Sequence, residues 1–146
     1  PDQTLRHLYE AHALAQSAMA AGHHPFGALL VAPDGETVLM RQGNVDAVNH
    51  AEAVLAREAA RLHPPALLWG CTLVTTVEPC AMCAGAITHA RIARLYYGAS
   101  DPKGGAVEHG PRLFEQPTVH HRPEVYAGIC EEEAQALLRS FFAVRR

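Results

Sequence analysis

Apolar positions along this chain follow two rhythms, and the changes between them outline the elements. Asp2 or Thr4 can cap a first helix running to about Ala21, with Leu5, Leu8, Tyr9, His12 and Met19 as its inward stripe and Gly22 as its stop. A short apolar run from Phe26 to Ala32 predicts a buried strand. Pro33-Asp34-Gly35 is a turn signal, and Thr37 to Arg41 reads as the partner strand of a hairpin. Gly43 to Asn49 is a polar loop. Helical spacing returns at Ala51, Val54, Leu55, Ala59 and Leu62 and is stopped by His63-Pro64-Pro65. Cys71 to Val77 is again strand-like, and Glu78-Pro79 marks a turn into a helix reaching about Ala90. Ile92 to Tyr97 predicts a fourth strand, Gly98 to Pro117 a long glycine-rich loop, and Glu124 to Tyr126 a weaker strand. A closing helix starts near Cys130, with glutamates in its first turn and arginines towards its end, an order that suits the helix dipole. A hairpin followed by alternating helices and strands predicts an α/β domain with a mixed sheet covered on both faces.

Composition narrows the class. With 146 residues, 49% of them hydrophobic, the chain suits a single domain (1–146) with one sizeable core, and disorder is excluded. No apolar run approaches the about 18 residues that a membrane span needs, so no membrane partner is expected. Pro1-Asp2-Gln3-Thr4 lacks the basic-then-apolar pattern of a secretory signal, and the expected location is cytoplasmic. Twelve basic residues, of which only Lys103 is a lysine, face fifteen acidic ones for a net charge of −3. That balance shows no global excess of cations for a polyphosphate partner and leaves only local patches open.

The chemistry concentrates in two short stretches. His50-Ala51-Glu52 stands at the start of one predicted helix, and Glu78-Pro79-Cys80-Ala81-Met82-Cys83 at the start of another. Cysteines spaced i, i+3 in a first helical turn face the same side, where the helix N-terminus favours the thiolate. One imidazole and two thiolates make three ligands for a single Zn2+ and leave the fourth tetrahedral position to a catalytic water. Cys80-x-x-Cys83 by itself also fits a redox pair or half of a structural zinc site. The His50/Glu52 element and the preceding proline favour the catalytic arrangement. Cys71 and Cys130 have no such context and are expected as small buried residues.

His50-Ala51-Glu52 with Pro79-Cys80-Ala81-Met82-Cys83 matches the signature of zinc deaminases acting on cytosine or adenine. The resemblance extends to Pro25-Phe26-Gly27-Ala28, Asn44, Cys83-Ala84-Gly85-Ala86-Ile87, the stretch from Arg91 to Ala99, and Phe141-Phe142 with Arg145-Arg146. Over nearly its whole length the chain resembles the cytidine/deoxycytidylate deaminase superfamily, in particular bacterial tRNA adenosine deaminases and guanine and cytosine deaminases. The resemblance implies a three-layer α/β/α cytidine-deaminase-like fold with a mixed five-stranded sheet, and a homodimer. It implies His50, Cys80 and Cys83 as zinc ligands and Glu52 as the catalytic proton shuttle. Asn44, the Ala51 backbone N–H and Phe26 are implied as substrate contacts.

Two substrate classes follow. The stretch from Arg91 to Gly105 and the terminal arginines speak for tRNA. Against tRNA stand the acidic balance, a loop of only five residues between Asn44 and His50, and Phe26 where the tRNA enzymes resemble one another in Pro-Val-Gly-Ala. On that weighing the preferred substrate is a free nucleobase or nucleoside of guanine or cytosine type, with tRNA adenosine at the wobble position as the alternative. A non-catalytic zinc-containing binding module is a third reading, which an intact Glu52 disfavours.

Overall fold

The fold is described by a computed structural model covering residues 2–145. Helix α1 spans Asp2–Ala20, and the hairpin strands β1 and β2 span Gly27–Val31 and Val38–Gly43. Helix α2 (Ala51–Leu62) is followed by the single turn α3 (Pro65–Leu68), strand β3 (Thr72–Val77), helix α4 (Ala81–Ala90) and strand β4 (Arg94–Ala99). After a long loop with one 3-10 turn at Leu113–Glu115 come β5 (Glu124–Tyr126) and α5 (Glu131–Arg145). No helix among the described residues is long and apolar enough to cross a membrane.

The five strands form one mixed sheet in the order β2-β1-β3-β4-β5. β1 runs antiparallel to both β2 and β3, whereas β3, β4 and β5 are parallel. Alternation along β1 divides the core. Ala28 and Leu30 join Leu55, Ala59, Ala84 and Ile87 of α2 and α4 on one face. Leu29 and Val31 meet Leu8 and Ala11 of α1 on the other. Helix α5 packs beyond α1 through Ala134 against Val77 and Ala99. The result is the expected three-layer α/β/α architecture with a mixed five-stranded sheet.

Strand direction places the chemistry. Gly27 at the start of β1 pairs with Gly43 at the end of β2, and Ala28 pairs with Thr75 near the end of β3. The chain therefore leaves β2 towards α2, leaves β3 towards α4 and leaves β4 towards its long loop, all at the same end of the sheet. Both helix N-termini open there, at the carboxyl ends of the parallel strands where such sheets bind ligands.

Several local expectations change. The stripe of α1 is rotated: Leu8, Ala11, Ala15 and Ala18 are buried, while Leu5 and Tyr9 are 40% and 53% exposed. Small side chains are what let this helix lie close to the sheet. A Cβ on Gly27 would stand 2.4 Å from the Ala11 carbonyl oxygen and 2.8 Å from the Ala15 nitrogen. Pro64-Pro65 does not simply end α2, because Pro65 also opens the short turn α3 as its first helical residue. Cys71 is buried as expected, but Cys130 is partly exposed and sits at φ +54 ahead of α5. Arg146 and the side chains of Phe141, Phe142 and Arg145 lie outside the described residues.

Candidate active site

His50 is the N-cap of α2, with extended backbone dihedrals, and Cys80 is the N-cap of α4, with Cys83 three residues further on. The two sulfurs therefore converge from a cap position and the first turn, rather than both from within the helix. His50 Nδ1 lies 3.6 Å from Cys80 Sγ and 3.7 Å from Cys83 Sγ. All three ligand atoms lie within 4.8 Å of one another. Zinc–sulfur bonds of about 2.3 Å and zinc–nitrogen bonds of about 2.0–2.1 Å at tetrahedral angles separate S and N by about 3.6 Å. Both N–S separations thus match adjacent tetrahedral corners, and the three residues fit one zinc ion.

The loop before α2 orients the imidazole. His50 Nε2–H donates to the Ala47 carbonyl at 2.8 Å, which leaves the Nδ1 lone pair turned towards the sulfurs. Asp46 holds that loop in shape by accepting from the Val48 and Asn49 N–H groups at 2.9 and 2.7 Å and from the Asn49 amide at 3.0 Å. The sulfurs form a thiol–thiolate pair. The Cys83 S–H holds the Cys80 thiol down to about 5, while the Cys80 sulfur and burial push the Cys83 thiol up. A thiolate is therefore in place near neutral pH, the form that binds metal.

Glu52, two residues into the same region of α2, is 6% exposed, and burial pushes its carboxyl up to about 7. It lies within electrostatic reach of His50 and Cys80, and the Thr75 hydroxyl of β3 lies beside it. Asn44 is buried; its Oδ1 accepts from the Ala51 N–H at 3.3 Å, and its Nδ2 donates to the Asp46 carbonyl at 3.2 Å. Asn44 and Ala51 are therefore partners of each other at the mouth of α2. The Phe26 carbonyl accepts from the Asn44 N–H at 3.1 Å, while its side chain packs against Val77 and Ala99 at one side of a groove of about 660 Å3. Lys103 from the loop after β4 and Leu138 and Arg139 of α5 line the same groove.

The model for the cytidine and deoxycytidylate deaminase zinc-binding region matches residues 1–99, which include the three ligands and Glu52. The chain belongs to this deaminase family. The tRNA-specific adenosine deaminase of Agrobacterium fabrum (strain C58 / ATCC 33970) is 50% identical over 137 residues, covering 90% of this chain and 89% of that protein. The enzyme of the same description from Bacillus subtilis (strain 168) is 36% identical over 140 residues, covering 93% and 86%. A solved structure from work on A-to-I editing by tRNA:A34 deaminases at the wobble position superposes with a TM-score of 0.82 at 46% identity, covering 91% of this chain and 99% of that one. A guanine deaminase from Nitrosomonas europaea shares the fold, with a TM-score of 0.68 at 23% identity over 95% and 84%. The protein is thus a zinc-dependent deaminase, a hydrolase of C–N bonds, with a His/Cys/Cys metal centre.

One residue of this deaminase's site region was overlooked in the sequence. The Glu78 side chain is completely buried, and both its oxygens accept hydrogen bonds from the loop after β4. Burial would push this carboxyl up, but the Asp101 N–H, the His109 ring and the Val107 and Glu108 N–H groups hold it below the usual carboxylate range. The available signal was an acidic residue directly after a wholly buried strand-like run, in a chain with a glycine-rich loop full of N–H groups.

Proposed function

We propose that this deaminase converts adenosine to inosine at the wobble position of tRNA. The sequence weighing preferred a free nucleobase or nucleoside, and the relatives support its alternative instead. The observation that carries the reading is the 50% identity, along nine-tenths of the chain, to a tRNA-specific adenosine deaminase. The guanine deaminase likeness, at 23% identity, supports only the fold. The objection from net charge has a physical answer. Phosphate contacts are local, and the groove beside the metal turn carries Lys103 and Arg139 whatever the sum over the whole surface.

His50, Cys80 and Cys83 would hold a zinc ion, which would supply an activated water near neutral pH. Glu52 would take a proton from the water as its oxygen bonds to the amine-bearing carbon, pass that proton to the neighbouring ring nitrogen, and relay a second to the amine as the C–N bond breaks and ammonia leaves. Burial suits it to this task, because a carboxyl raised to about 7 can both accept and release a proton near neutrality. Asn44 and the Ala51 N–H receive the polar edge of the base by exchanging their mutual 3.3 Å contact for it. Phe26, at the side of the groove, packs against the nucleotides that flank the flipped base.

The test is ammonia release by the zinc-loaded protein from guanine, cytosine, adenine, their nucleosides and a tRNA with adenosine at the wobble position. Glu52→Gln serves as the control. Inosine formation in tRNA, lost in Glu52→Gln with zinc retained, is the expected result. Turnover of a free base with none on tRNA would overturn the substrate, and full turnover by Glu52→Gln would overturn its role. Stoichiometric zinc without turnover on any substrate would point to a binding module.

A further inference from the structure

Glu78 follows β3 directly, two residues before the first cysteine ligand, and the loop after the neighbouring strand β4 is folded around its carboxylate. Oε1 accepts from the Asp101 N–H at 2.9 Å and from His109 Nδ1 at 2.8 Å. Oε2 accepts from the N–H groups of Val107, Glu108 and His109 at 3.1, 2.9 and 3.1 Å. Five donors thus converge on one buried anion, which draws the two ends of the loop together. The Ala106 N–H adds a backbone link to the Pro79 carbonyl at 2.9 Å. Gly105 is the residue that makes the closure possible, since a Cβ there would stand 2.4 Å from the Glu78 carboxylate and 2.6 Å from the Asp101 carbonyl oxygen.

The loop so held is the one that supplies Lys103 to the groove. Asp101 Oδ1 accepts from the Lys103 and Gly104 N–H groups at 3.1 and 3.0 Å, so the turn bearing the lysine is built directly on the residue that Glu78 anchors. On the other side Glu78 is continuous with Pro79 and Cys80. One side chain therefore spans the groove wall and the metal turn.

We propose that Glu78 is a positioning residue for the substrate: its carboxylate sets the 101–109 loop in register with the metal turn, so that a polynucleotide held on the groove presents its base to the zinc site. This rests on the tRNA reading. Only a carboxylate serves all five donors. A glutamine in its place has one acceptor oxygen, and in either orientation its NH2 faces at least one backbone N–H that then lacks a partner. Aspartate carries the charge but is one methylene too short to reach both ends of the loop.

The experiment compares wild type, Glu78→Gln and Gly105→Ala. The second variant pushes the loop off the carboxylate without altering Glu78. Zinc content, amide hydrogen exchange across 101–109, and KM and kcat on an anticodon stem-loop RNA are measured. Because hydrogen bonds to a charged group are strong, both variants should raise KM by about tenfold or more, with kcat changed less than about threefold. Zinc should stay at one per chain, and exchange at 101–109 should accelerate. Unchanged exchange and KM in both variants would overturn the proposal, as would a loss of kcat that follows a loss of zinc at constant KM. If the wild-type protein turned over only a free base, the substrate reading would fail on its own. Faster loop exchange with full zinc and unchanged free-base KM would then show that the anchor does not position substrate.

Discussion

A carboxylate two or three residues from a backbone N–H can shape a turn as firmly as a longer-range contact, and this chain uses that device repeatedly. Asp46 shapes the loop that orients His50, and Asp34 does the same for the β1–β2 hairpin. The Asp34 carboxylate accepts from the Thr37 hydroxyl at 2.6 Å, and from the Thr37 and Glu36 N–H groups at 2.9 and 2.8 Å. The Thr37 side chain first, then those amides, hold Asp34 down to about 2, against an ordinary 3.8. A carboxylate lowered in the folded state contributes stability above its unfolded value and loses it as pH falls through the folded one. The difference in Tm between wild type and Asp34→Ala should therefore be constant above about pH 5 and shrink between pH 3.8 and 2. A difference that persisted undiminished at pH 2 would show that the carboxylate charge is irrelevant to the turn. The His50, Cys80 and Cys83 cluster was legible at this scale, because its members lie in two short motifs. Glu78 was not, because its five donors sit 23 to 31 residues away along the chain.

Between elements, the closest packing is that of α1 on the hairpin. The alanines of α1 and the bare Gly27 let helix and strand backbones approach within the space a methyl group needs. Gly27→Ala should thus destabilise the protein by about 1–3 kcal/mol, read as a lowered urea midpoint at unchanged slope. A variant as stable as wild type would show that α1 can retreat freely. The four longer helices and all five strands were readable from apolar spacing, with the breaks at Gly22 and His63-Pro64-Pro65, whereas the single turns at Pro65–Leu68 and Leu113–Glu115 were not. The face of α1 was not, since a hydropathy stripe ranks Leu5 and Tyr9 above alanine. Close approach to a sheet rewards small side chains over large ones.

For the whole molecule, the sign of the net charge says little about where anions bind. Lys103 and Arg139 are brought to one groove from positions 36 residues apart, against a single lining carboxylate, Asp101, whose Oδ1 is engaged by the Lys103 and Gly104 N–H groups. If tRNA is the substrate, kcat/KM should fall steeply as salt rises, with a log–log slope set by the number of phosphates contacted. Glucose or another uncharged solute at equal osmolality should leave it unchanged. A rate on tRNA indifferent to salt would mean that phosphate contacts contribute nothing to recognition.

By itself the sequence determined the fold class, the metal-ligand set and the reaction type, because each is written in local patterns: apolar rhythm for the elements, and two short motifs for the ligands and Glu52. The tertiary structure decided how the motifs meet. Antiparallel β1 brings the ends of β2 and β3 to one end of the sheet, and only then does His50 stand 3.6 and 3.7 Å from the two cysteine sulfurs. It also decided the wall of the groove that carries Lys103, because the glycine-rich stretch after β4 has no periodicity to read. Its shape comes from a buried anion supplied by another strand, and a contact of that range leaves no trace in local spacing.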